Sequence, residues 1–115
     1  MPPIRILIID STSTTRQALS IALRKESGLD IVGAMASGTL AMARMEELRP
    51  DVVVLDVAED REGLKTLARL RESQPSLPII IFSQLAVRGS QVTIDALMLG
   101  ANAYVTKAAS NAELD

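Results

Sequence analysis

The sequence contains no cysteine and no histidine, and these two absences remove most of the chemistry open to a small chain. Without thiols there is no disulfide and no thiolate zinc site. Without imidazole the commonest metal ligand and the commonest general base are both missing. A Ser-His-Asp hydrolytic triad is therefore impossible within these residues. Tryptophan is absent too, and Phe82 and Tyr104 are the only aromatic residues, so the core must be aliphatic. No apolar run approaches the ~20 residues that span a bilayer. Met1-Pro2-Pro3 opens directly into an apolar run and is no signal peptide. The expectation is a cytoplasmic protein without membrane contact. Twelve basic and 14 acidic residues leave a net charge of -2, with the cations scattered, so no nucleic-acid binding is expected of this segment.

What is present is a regular alternation. At 115 residues the chain fits one domain, 1–115. Five β-rich runs cover residues 4–9, 30–35, 52–56, 79–83 and 103–106. Several are apolar at consecutive positions, as in Ile6-Leu7-Ile8-Ile9 and Val52-Val53-Val54-Leu55, which suits strands covered on both faces of a parallel sheet. Helical spacing fills the gaps. Residues 14–26 put Ala18, Ile21 and Ala22 on one face beside Leu19 and Leu23, with Gly28 as a left-handed stop. Residues 37–48 turn Leu40, Ala43 and Leu48 inward. Residues 63–72 form a third helix, and residues 89–99 bury Val92, Ala96 and Leu99 before Gly100. The order (βα)4β predicts a doubly wound five-stranded parallel sheet with helices on both faces. Ser110-Asn111-Ala112-Glu113 reads as the cap and first turn of a fifth helix, which the 115 residues would cut short.

Ligands in such folds bind outside the carboxyl ends of the strands. Asp10, Asp56, Ser83 and Thr106-Lys107 each close a strand there. Singly, an aspartate or serine at a strand end is most often a turn former and a lysine a solvated charge. Their shared register favours one cleft holding two carboxylates, a hydroxyl and an ammonium. Thr12 to Thr15 lack the glycines of a phosphate cradle and read as a helix N-cap cluster.

The stretches Ile6-Leu7-Ile8-Ile9-Asp10, Pro50-Asp51-Val52-Val53-Val54-Leu55-Asp56, Ile80-Ile81-Phe82-Ser83 and Gly100-Ala101-Asn102-Ala103-Tyr104-Val105-Thr106-Lys107 resemble the bacterial response-regulator receiver family along essentially the whole chain. The segments from Ser83 to Leu97 and from Ala103 to Lys107 look most like the receiver half of chemotaxis protein-glutamate methylesterases. The resemblance implies a flavodoxin-like receiver fold and a phosphoryl group moved from a histidine kinase onto Asp56. It implies Mg²⁺ held by Asp10, Asp56 and the backbone carbonyl of Ala58, Lys107 and Ser83 on phosphoryl oxygens, and Tyr104 as a switch aromatic. The partners implied are the kinase and a downstream output domain or protein. Homodimerisation stays open, and any methylesterase activity would lie beyond Asp115.

Three departures surround the implied pocket. Ser11 stands where the family carries a second acid, which leaves a weaker Mg²⁺ site because that ion demands well-placed oxygen ligands, unless Glu59 or Asp60 compensates. The loop after Asp56 lacks the usual proline, and Gly63 arrives one residue early. Ala108 replaces the proline that normally follows the lysine. A degenerate, phosphorylation-independent interaction or dimerisation module is therefore the competing reading. A flavin or nucleotide binder ranks below both, because no phosphate loop opens the first helix and stacking aromatics are nearly absent.

Overall fold

The computed structural model describes residues 2–58 and 61–107. Its order is β1 (Ile4–Ile9), α1 (Ser13–Arg24), β2 (Leu29–Met35), α2 (Gly38–Leu48), β3 (Val52–Leu55), α3 (Glu62–Ser73), β4 (Ile79–Ser83), α4 (Gln91–Met98) and β5 (Ala103–Thr106). All neighbouring strands pair in parallel, in the order β2-β1-β3-β4-β5. This is the doubly wound, flavodoxin-like arrangement expected from the sequence, and its switch point lies between β1 and β3. The expected start of a fifth helix, together with Glu59, Asp60 and Ala108, falls outside the described residues.

Successive strand residues point to opposite faces, and β1 shows how both are used. Leu7 and Ile9 join a cluster with Val53, Leu55, Ile79 and Ile81 that α2, α3 and α4 cover through Met45, Leu67 and Ala96, among others. Ile6 and Ile8 are equally buried but lie outside that cluster. They occupy the face on which α1 packs across β1 and β2. A fully sequestered side chain such as Leu67 contributes about 1.5–3 kcal/mol, and the run of them explains why the strands read as unbroken apolar stretches.

Three inward faces differ from the sequence expectation. In α1 the buried positions are Thr15 and Ser20, whereas Ile21 is 58% exposed and Ala22 is exposed. Ala18, Leu19 and Leu23 of the expected stripe are half-buried, so only part of it faces inward. In α2 the contact stripe is Ala41, Met45 and Leu48, with Leu40 and Ala43 facing out. A helix shows one stripe to a sheet, and α2 leaves that sheet through a left-handed residue at Arg49 (φ 47°). In α4, Val92 and Ala96 are buried as expected, but Thr93 replaces Leu99. Thr93 tolerates burial because its hydroxyl donates to the Val87 carbonyl at 2.8 Å.

At the end of the sheet away from the strand carboxyl termini, Arg71 acts as a clamp. Its guanidinium donates to the carbonyls of Gly100, Gln74 and Pro75 and to the side-chain oxygen of Asn102. Gly100 has a φ of +109°, and a Cβ there would lie 2.9 Å from Arg71 Nε.

Candidate functional site

The parallel register carries Asp10 and Asp56 to the same edge. The Asp56 N–H donates to the Ile9 carbonyl at 2.9 Å, and the Asp10 N–H donates to the Met35 carbonyl at 2.9 Å. Asp56 lies one residue past the end of β3, not inside it as expected. Lys107, directly after β5, is anchored by its N–H to the Ser83 carbonyl at 2.9 Å. Its ammonium then lies 2.8 Å from Asp10 Oδ2 and 3.1 Å from Asp56 Oδ1. Asp10 is 3% exposed and Lys107 9%, so this is a buried, paired cluster and not a set of solvated charges.

Charge sharing sets the protonation behaviour. Burial pushes the Asp56 carboxyl above its ordinary range and the neighbouring Asp10 charge pushes it further, while Lys107 opposes both. The other Asp10 oxygen accepts from the Thr12 N–H at 2.8 Å. Thr12 does occupy the N-cap position of α1, but its side chain makes no capping bond. The expected threonine cap is therefore a carboxylate-to-backbone bond made by Asp10.

Ser83 is 1% exposed, and its hydroxyl donates to the Val57 carbonyl at 2.6 Å while accepting from the Leu85 N–H at 3.1 Å. The hydroxyl thereby ties β4 to the segment after Asp56. Tyr104 is half-buried and packs against the α2–α4 core. The Ala58 carbonyl accepts from the Arg61 N–H at 2.9 Å, and a carbonyl oxygen has a second lone pair. Asp10, Asp56, Ser11 and Ala58 all line one cleft of about 380 Å³. A second, of about 320 Å³, brings Asp56, Ser83 and Lys107 together. Sequence reading thus named groups that the fold brings together, except that Tyr104 lines neither cleft.

Two further residues shape the site. Gly63 opens α3 directly against the acceptor segment, and a Cβ there would meet the Asp56 carbonyl oxygen at 2.3 Å. Arg16 donates to the Asp10 carbonyl at 2.7 Å, a contact without a local sequence signal.

Oxygen donors from two carboxylates and a peptide carbonyl are the set that Mg²⁺ accepts while keeping several waters. Among the described residues no group of three or more acidic side chains gathers for a metal. The family model of the response regulator receiver domain matches residues 6–115. The chain belongs to that family. Receiver domains are regulatory phosphoacceptor modules that generally bind Mg²⁺ at the phosphorylation site and work with histidine kinases and output domains.

The receiver is 40% identical over 111 residues to the protein-glutamate methylesterase/protein-glutamine glutaminase of Trichodesmium erythraeum, covering 96% of this chain and 32% of that protein. It is 38% identical to the Syntrophomonas wolfei protein of the same description, covering 100% of this chain and 33% of that one. The chain thus spans about a third of these curated relatives. The response regulator domain of Thermotoga maritima CheB superposes with a TM-score of 0.86 at 28% identity, over 95% of this chain and 81% of that one. A chain of the CheX-CheY-BeF3-Mg²⁺ complex from Borrelia burgdorferi superposes at 0.83 with 25% identity, over 98% of this chain and 84% of that one. Among the described residues no helix is long and apolar enough to cross a membrane.

Proposed function

We propose that this receiver accepts a phosphoryl group from a histidine kinase on the Asp56 carboxylate and passes the change to an output domain or protein in the cytoplasm. The observation that supports it best is Lys107 reaching both Asp10 and Asp56 inside one buried edge. A carboxylate oxygen of Asp56 attacks phosphorus, the bond to the kinase imidazole breaks, and an acyl phosphate remains. Asp10, Asp56 and the Ala58 carbonyl would hold Mg²⁺, which neutralises phosphoryl oxygens when bound. Lys107 turns from carboxylate to phosphoryl oxygen as a mobile point charge. Ser83 gives up the Val57 carbonyl and donates to another phosphoryl oxygen. Because that bond ties β4 to the loop, its exchange moves the β4–α4 connection, and Tyr104 follows as the switch aromatic. The face that changes is made by α4 and β5. With Ser11 in place of an acid, Mg²⁺ is held weakly.

Intact-mass measurement after treatment with a small phosphodonor and Mg²⁺ tests this reading, with Asp56→Asn as control. One phosphoryl adduct, lost in the variant, is expected. No adduct on folded protein, beside a receiver that labels under the same conditions, would turn the assignment to a phosphorylation-independent interaction or dimerisation module.

A further inference from the structure

The cleft that holds Ser83 and Lys107 is also lined by the β1–α1 junction, which presents hydroxyls where an acid is missing: Ser11, Thr12 and Thr15 line the same space as Asp56. Thr15 differs from the other two. It is 7% exposed, whereas Ser11 and Thr12 lie open to solvent. A threonine buried in a helix ordinarily returns its hydroxyl to the carbonyl three or four residues earlier. Thr15 does not, and among the described residues its hydroxyl has no hydrogen-bond partner. Among those residues no side-chain oxygen or nitrogen is both sealed from solvent and unpaired. The Thr15 hydroxyl therefore keeps an opening, and the cleft it lines provides one. A hydroxyl open to the cleft and held by no protein partner among the described residues is available to donate to a ligand oxygen there.

We infer that Thr15 is a further phosphoryl-binding residue of this receiver, donating its hydroxyl to an oxygen of the group carried by Asp56. The inference rests on Asp56 being the acceptor. A neutral donor suits the position, because the site already contains one ammonium against two carboxylates and gains further negative charge on phosphorylation. A hydroxyl fixed on the first turn of α1 donates to the phosphoryl oxygens without adding charge. The wall that lacks the second acid thus contributes to the anion and not to the cation.

The test uses beryllofluoride, formed from beryllium and fluoride salts with Mg²⁺, as the phosphoryl mimic. Binding is titrated calorimetrically for the parent, Thr15→Val, Thr15→Ala and Thr15→Ser, with Mg²⁺ alone titrated in parallel and thermal melting as a check on folding. Loss of the hydroxyl should weaken beryllofluoride binding roughly tenfold, leave Mg²⁺ affinity unchanged, and be restored by Thr15→Ser. Should Thr15→Val fold poorly, Thr15→Ala against Thr15→Ser gives the same comparison. Equal beryllofluoride affinity in parent and folded hydroxyl-free variants overturns the Thr15 assignment and leaves Asp56 standing. Matching losses for Mg²⁺ alone overturn it in favour of a cation-ordering hydroxyl. A parent that binds no beryllofluoride and takes no phosphoryl adduct removes the acceptor assignment first, and this one with it.

Discussion

Lys107 Nζ lies 2.8 Å from Asp10 Oδ2, 97 positions away in the chain, and the two side chains are 8% and 2% exposed. The same ammonium stands over the Phe82 ring at 5.7 Å from its centroid. A charge so far withdrawn from water is held by its partners, and each partner depends on it.

Removing that ammonium should therefore cost more than a surface pair would. Lys107→Met leaves Asp10 and Asp56 facing each other without a cation, and the expected loss is about 3–5 kcal/mol in urea unfolding. Adding Asp10→Asn to that variant should recover much of the loss. A loss under ~1 kcal/mol would place the pair with solvated surface bridges.

The Asp56 carboxyl titrates above its ordinary range in the folded chain, chiefly through burial. The protonated form is favoured by folding, so this contribution to stability is fully present below the unfolded value and is lost as pH rises through the folded one. In metal-free buffer Asp56→Asn should melt higher than the parent at pH 7, with the gap closing as pH falls below about 4. Coincident melting temperatures at pH 7 would remove the burial cost.

Ser11→Asp adds a carboxylate to the cleft lined by Asp10, Asp56 and Glu62. Mg²⁺ should bind at least roughly tenfold tighter, as read by calorimetry. An unchanged affinity would mean that the loop acids already fill the position or that the pocket holds no metal.

Arg71 lies far from this chemistry and donates to three carbonyls and the Asn102 side-chain oxygen. Arg71→Ala should cost about 2–3 kcal/mol in chemical unfolding. At a temperature where the variant is folded, the yield of phosphoryl adduct should match the parent. A lower yield would tie the clamp to the site.

The strands, their parallel sense and the edge that collects Asp10, Asp56, Ser83 and Lys107 were legible in the sequence. Unbroken apolar runs require cover on both faces, and strand ends of a parallel sheet share an edge. Helix faces were less legible. Ile21 and Leu40 belong to apolar spacings yet stand 58% exposed, because a stripe's existence is local while its direction depends on what the helix docks against. Partner choice was also decided only in three dimensions. Nothing near Thr15 in the chain tells that its hydroxyl stays unpaired among the described residues while the residue lines a cleft, nor near Ser83 that its hydroxyl is held by the Val57 carbonyl. Sequence by itself determined which groups reach the site, since periodicity and strand ends are properties of neighbouring residues. Tertiary structure decided which of them are buried, paired or free, since those states depend on atoms brought together from distant parts of the chain.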